Sequence, residues 1–158
     1  MTIQIGDTIP EATFSTMTEN GPEPIGKAFF EGKTVALFAV PGAFTPTCSA
    51  KHLPGFLDKA GELKAKGVDA IACTAVNDVF VMGAWSKAND AEGVTMLADG
   101  NGAFAEAVGL TMDGSKFGMG KRSQRYSMLI ENGVVKQLNV EAPGEFKVST
   151  ADYLLGQL

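Results

Sequence analysis

Two apolar runs of strand length, each followed by a segment of helical period, constrain this chain more than any other feature. "KTVALFAV" at 33–40 is almost unbroken in its apolar character, the pattern of a strand buried on both faces of a central sheet. "VDAIACTAV" at 68–76 repeats it. Between them, from Pro46 to Lys66, Leu53, Phe56, Leu57, Ala60, Leu63 and Ala65 recur at helical spacing, and Gly67 supplies a C-terminal stop. Pro54 falls inside that helix, where it removes one backbone hydrogen bond and is expected to bend the axis. "DVFVMGAWSKAND" at 78–90 reads as a second amphipathic helix with Asp78 at its start. Strand, helix, strand, helix is the signature of parallel strands joined by crossover helices.

The rest of the chain extends that unit. "VTMLAD" at 94–99 reads as a further short strand and "GAFAEAVGL" at 102–110 as a short helix, whereas the Gly-rich, cationic "TMDGSKFGMGKRSQ" reads as a loop. "RYSMLIENGVVKQLNV" at 125–140 carries Asn-Gly between two apolar runs, which predicts an antiparallel hairpin with a two-residue turn. "STADYLLGQL" predicts a closing helix capped by Ser149 or Thr150. Residues up to about Phe30, punctuated by Pro and Gly, are expected to form short strands or loops along one edge. The sum is an α/β chain, a thioredoxin-like fold with an N-terminal extension and a central mixed sheet flanked by helices. A length of 158 residues suits a single domain over 1–158.

Charge and cysteine usage narrow the function. A net charge of −5 without a basic block argues against nucleic acid as a partner, because that affinity rests on Lys and Arg neutralising phosphates. No run approaches the length needed to span a bilayer, and the start "MTIQIGDTIPEATF" has no basic and then apolar leader, so the expected location is cytoplasmic and no membrane partner is expected. Cys48 and Cys73 are too few for a disulfide scaffold and too far apart for a zinc pattern. Cys73, in mid-strand, is read as structural.

Cys48 stands elsewhere, in "PGAFTPTCSAKHLPGF", at the seam between the first strand and its helix. Thr45 suits the N-cap and Pro46 the first helical position, so Cys48 falls in the first turn, where free amides and the helix dipole favour a thiolate. Thioredoxin-type dithiol enzymes carry Cys-x-x-Cys at such a junction. Here Thr45 occupies the first position, so no local disulfide can form, and its hydroxyl is placed to hold an oxygen atom beside the sulfur. His52, four residues after Cys48 on the same helical face, could hydrogen-bond near the site, raise its positive potential or serve a subunit contact. Phe44, Phe80 and Phe117 could form an apolar rim that packs a partner subunit, or simply belong to the core.

The Pro-x-x-x-Thr-x-x-Cys of "PGAFTPTC" resembles the active-site motif of the peroxiredoxins, and "HLPGF", "VND", "GAW", "RYSM" and "LNVE" extend the resemblance to the type-5 subfamily over nearly the whole chain. The resemblance implies a thiol peroxidase with no metal or organic cofactor, acting on hydrogen peroxide and alkyl hydroperoxides. It makes Cys48 the peroxidatic nucleophile, Thr45 the peroxide-orienting hydroxyl, Pro41 a shield against water and Arg125 the distant guanidinium on thiolate and peroxide. Gly42, Phe44, Thr47, His52 and Phe117 would stand around the substrate or just behind it. Some type-5 members place a resolving cysteine before the last helix. This chain has Ser149 in that stretch, so no resolving cysteine is assigned, and an external thiol, glutaredoxin with glutathione or thioredoxin, is implied as reductant. A non-covalent homodimer is implied in the same way. The alternative is a non-enzymatic thioredoxin-fold redox sensor or chaperone-like binding module, in which oxidation of Cys48 changes partner affinity.

Overall fold

The apolar runs lie side by side at the centre of a seven-stranded sheet in the computed structural model, which describes residues 1–158. The strands in chain order are β1 (Thr13–Thr18), β2 (Gly21–Gly26), β3 (Thr34–Ala39), β4 (Ala70–Ala75), β5 (Thr95–Ala98), then, after a separate two-stranded ribbon of β6 (Thr111–Asp113) and β7 (Lys121–Ser123), β8 (Tyr126–Glu131) and β9 (Val134–Val140). The large sheet is ordered β2-β1-β5-β4-β3-β8-β9. β3, β4 and β5 are parallel, as crossover connections require, while β8 runs antiparallel to β3, and β1 to β5.

Side chains alternate along β3 into two cores. Ala36 and Phe38 point into one apolar layer with Phe56, Leu63, Ile71 and Trp85, while Val35, Leu37 and Ala39 point into the other with Phe14, Phe104 and Met128. The first layer is roofed by α1 (Leu53–Asp58), α2 (Ala60–Ala65), α3 (Val79–Ala88) and α5 (Ala151–Leu155); α4 (Ala103–Val108) belongs to the second. Phe38 stacks on Phe56 with ring centroids 4.2 Å apart and an interplanar angle of 7°, which ties β3 to α1. No helix is long and apolar enough to cross a membrane.

The caps follow their chemistry. Asp78 accepts from the Val81 amide at 2.9 Å to open α3, and of the two candidates for α5 it is Thr150 that accepts from Tyr153, at 3.0 Å. At the β8–β9 turn, Asn132 (φ 48°) and Gly133 (φ 78°) both take the left-handed conformation, the backbone of a type I′ hairpin.

Three expectations need correction. The stretch 46–66 is not one helix bent at Pro54: a wide, five-residue turn covers Cys48–His52, α1 follows, and a second break at Lys59 (φ −98°, ψ 6°) precedes α2. In the wide turn the Leu53 amide reaches the Cys48 carbonyl, five residues back, so the helix is already loosened ahead of the proline that has no N–H to offer. The segment read as a loop after α4 contains the β6–β7 ribbon, because Thr111–Asp113 and Lys121–Ser123 pair across its glycines. The N-terminal extension uses both ends of the sheet: Gly6 and Ile9 donate to the carbonyls of Val135 and Gly133 at 2.8 Å, on the β9 side, before the chain crosses to form β1 and β2 at the opposite edge.

Candidate active site

The loop leaving β3 is shaped by its own backbone. Ala43 donates to Asn77 Oδ1 at 2.9 Å, Phe44 takes a left-handed φ of 66°, and the Thr45 hydroxyl donates to the Gly42 carbonyl at 2.6 Å. Thr45 occupies the N-cap position, since its carbonyl accepts the first helical bond from Ser49 at 3.0 Å, but its hydroxyl does not cap the helix. With its proton committed to Gly42, the hydroxyl has lone pairs left to accept a further hydrogen bond. Gly42 also packs closely: a Cβ there would lie 3.2 Å from Met119 and from Thr45.

This loop delivers Cys48 to the first core layer, fully buried. The next residue, Ser49, accepts from Trp85 Nε1 at 2.9 Å, which fixes the turn against α3. Arg125, immediately before β8, crosses 77 positions of sequence to donate from Nη2 to Cys48 Sγ at 3.1 Å. The neighbouring cations are occupied elsewhere: Lys121 pairs with Glu106 at 2.5 Å, and Arg122 donates to the carbonyls of Met119 and Val76 at 2.9 and 3.0 Å.

His52 stands on the other arm of the guanidinium, with Arg125 Nη1 2.9 Å from Nδ1, while Nε2 lies 2.9 Å from the Ser149 carbonyl. Arginine has no acceptor and a carbonyl has no donor, so Nδ1 accepts, Nε2 carries the proton and the ring is neutral. Burial, and then the charge of Arg125, lower the His52 pKa from 6.5 to about 3, although the Ser149 bond and the charge of Glu141 oppose the shift. His52 therefore adds no positive potential. Nor does it offer a subunit contact, because it is itself buried among Phe38, Phe56 and Phe146.

Behind Ser149 lies Glu141, one oxygen of which accepts from the amides of Lys147, Val148 and Ser149 at 2.8, 2.9 and 2.8 Å and from the Ser149 hydroxyl at 2.6 Å. Burial alone would raise its pKa, but those bonds, led by the Ser149 hydroxyl, prevail and lower it below 4.5. Cys73 is buried in β4, paired in register with Phe38 and Met96. Burial, and then the nearness of Cys48, push its thiol well above its ordinary range.

A cavity of about 480 Å³ opens onto this constellation, with Pro41, Thr47, Phe117, Arg125, Glu141 and Phe146 in its wall. The structure thus brings Cys48, Thr45, Arg125, His52, Pro41, Thr47 and Phe117 to one end of the sheet. Phe44 and Phe80 are exposed to 54% and 66% and stay outside the cavity wall, so the expected apolar rim reduces there to Phe117, with Phe146 in place of the other two. Nothing in the sequence marks Glu141, Ser149, Phe146 or Asn77 as part of this site: Glu141 and Asn77 stand there only within "LNVE" and "VND", and Ser149 only as a candidate helix cap and as the residue in the stretch where a resolving cysteine would lie. No three His, Cys, Asp or Glu side chains converge as a set of metal ligands.

The chain matches the Redoxin family model over residues 4–155. It is 51% identical to peroxiredoxin-2E-2, chloroplastic, of Oryza sativa subsp. japonica over 99% of this chain and 73% of that protein, and 47% identical to peroxiredoxin-2B of Arabidopsis thaliana over 99% and 98%. Among solved structures, reduced Prx3 from Vibrio vulnificus in complex with hydrogen peroxide superposes with a TM-score of 0.95 at 55% identity, covering 98% of each chain.

Proposed function

The chain belongs to the peroxiredoxin family and is a thiol-dependent peroxidase, and from that premise we propose that Cys48 is the reacting sulfur, with Arg125 and Thr45 arranging the peroxide beside it. The observation that carries this reading is the 3.1 Å bond from Arg125 Nη2 to Cys48 Sγ next to a substrate-sized cavity. The thiolate attacks one peroxide oxygen in line with the O–O bond. That bond breaks, Cys48 becomes a sulfenic acid, and the departing oxygen takes a proton and leaves as water or an alcohol. Guanidinium donors facing sulfur and peroxide stabilise the negative charge as it moves from one to the other. The Thr45 lone pairs accept the peroxide O–H, and Pro41, in the cavity wall, limits the water that reaches the sulfur.

A single cysteine completes the oxidative half. Residues 142–158 contain no cysteine, and Cys73 is buried in mid-strand with its thiol held protonated, which supports a one-cysteine cycle. An external thiol, glutathione with glutaredoxin or thioredoxin, then attacks the sulfenic sulfur to give a mixed disulfide and water, and a second thiol releases Cys48. Such a cycle belongs in a reducing compartment, the cytoplasm. The exposed rings of Phe44, Phe80 and Phe117 support self-association as a non-covalent homodimer.

Turnover with an NADPH-coupled glutaredoxin and glutathione system, and separately with a thioredoxin system, tests this reading. Many peroxides reduced per Cys48, full loss in Cys48→Ser and near-complete retention in Cys73→Ser are expected. Loss in Cys73→Ser with the fold intact would overturn the one-cysteine cycle.

A further inference from the structure

We propose that His52 is a positioning residue for Arg125: its unprotonated Nδ1 aims the guanidinium at Cys48, and its own orientation is set by Glu141 through the Ser149 carbonyl. The inference rests on the peroxidase reading only in taking Arg125 to act on Cys48. Its grounds are geometric. A guanidinium presents its donors in one rigid plane, so fixing Nη1 fixes the direction of Nη2. Nη1 is fixed by His52 at 2.9 Å, and Nη2 meets the sulfur at 3.1 Å.

The choice of a neutral acceptor has a consequence. A carboxylate in the place of His52 would also hold the arginine, but it would cancel the positive charge that helps a buried thiolate and the charge developing on peroxide. An imidazole lone pair orients the guanidinium and leaves its charge intact. For Nδ1 to stay free, the proton must sit on Nε2, and the Ser149 carbonyl keeps it there. That carbonyl belongs to a segment that Glu141 gathers onto one carboxylate oxygen through the amides of Lys147, Val148 and Ser149 and the Ser149 hydroxyl. The rings of Phe38, Phe56 and Phe146, with centroids 4.9, 5.7 and 5.1 Å from the imidazole, leave it little room to turn. The end of the chain thus bears on the reacting sulfur through Glu141, Ser149, His52 and Arg125.

The test is a double-mutant cycle on the rate constant for oxidation of Cys48 by hydrogen peroxide, measured by competition with horseradish peroxidase. His52→Leu, and to a smaller degree Glu141→Gln, are expected to slow oxidation, His52→Leu by about 10- to 100-fold, the scale of misplacing a group near the reacting atoms. In an Arg125→Ala background the same changes are expected to cost nothing further, since they act only through the arginine. His52→Asn, which keeps an acceptor near the Nδ1 position, is expected to retain more of the rate than His52→Gln, whose amide reaches toward Ser149 instead. These two variants carry the test if His52→Leu does not fold. Losses that add to that of Arg125→Ala, equal losses in the Asn and Gln variants, or a wild-type rate in folded His52→Leu would each overturn the proposal while leaving the peroxidase reading in place. A failure of that reading would show itself separately, as wild-type Cys48 reacting no faster than a free thiol.

Discussion

Arg125 is asked to do two things with one rigid group, and that duty predicts how it can be replaced. Removing it takes away a preorganised donor at the sulfur, so Arg125→Ala is expected to slow Cys48 oxidation by about 10²–10³-fold, or roughly 3–4 kcal/mol of transition-state stabilisation. Arg125→Lys is expected to recover little of this when the rate is measured by the same competition with horseradish peroxidase, because a single ammonium on a flexible stem cannot serve His52 Nδ1 and Cys48 Sγ together in fixed directions. Cys48, Thr45 and Pro41 could be read from the sequence because they sit within one short motif whose spacing has local meaning. Arg125 was reached through "RYSM" alone, and spacing could not have separated it from Lys121 and Arg122. Glu141 and the Ser149 carbonyl were beyond reach: their roles depend on a backbone atom meeting an imidazole 97 positions away.

Among the elements, the parallel core was legible because continuous apolar runs leave few alternatives to burial on both faces, and the hairpin because Asn132-Gly133 satisfies a turn that few dipeptides tolerate. Helix continuity was not. Apolar period carries through a wide turn nearly as well as through a regular one, so 46–66 reads as one helix although it is broken at Cys48–His52 and again at Lys59. The β6–β7 ribbon was hidden for the opposite reason, its three-residue strands being too short to show alternation. The joint between sheet and active-site segment is the Phe38–Phe56 stack, both rings fully buried. Phe38→Ala is expected to lower the free energy of unfolding by about 3–5 kcal/mol, read by urea denaturation. Gly109 permits the other joint: at φ 74°, a Cβ there would fall 2.5 Å from the Met1 carbonyl. Gly109→Ala should therefore displace the N-terminal leg and lower the thermal midpoint, an effect absent at an exposed glycine such as Gly61.

The whole molecule should feel the buried His52 in its response to acid. Its pKa is lowered in the fold from 6.5 to about 3, so between those values the unfolded chain binds a proton that the native protein does not. Stability is therefore expected to be complete above about pH 6.5 and to fall as the pH is lowered toward 3, with a slope from this group of up to about 1.4 kcal/mol per pH unit. Glu141, whose carboxyl is lowered below 4.5, acts in the same direction at the acid end, its contribution being lost as the carboxylate protonates. Urea unfolding across this range should show the fall in the wild type and a flatter profile in His52→Gln; equal slopes in both would contradict the buried, neutral imidazole.

The chemistry rests on one sulfur, and Trp85 offers a direct view of it: the only tryptophan in the chain donates its indole proton to Ser49, the residue next to Cys48. Reduced protein mixed rapidly with hydrogen peroxide, with Trp85 fluorescence followed in time and Cys48 then analysed by mass spectrometry, measures the first chemical step. A fast phase whose rate rises with peroxide concentration, ending in sulfenic acid at Cys48 and absent from Cys48→Ser, is expected. Oxidation of Cys48 at the rate of an ordinary free thiol would contradict it, for the contacts to Arg125 and the setting beside Thr45 would then confer no reactivity.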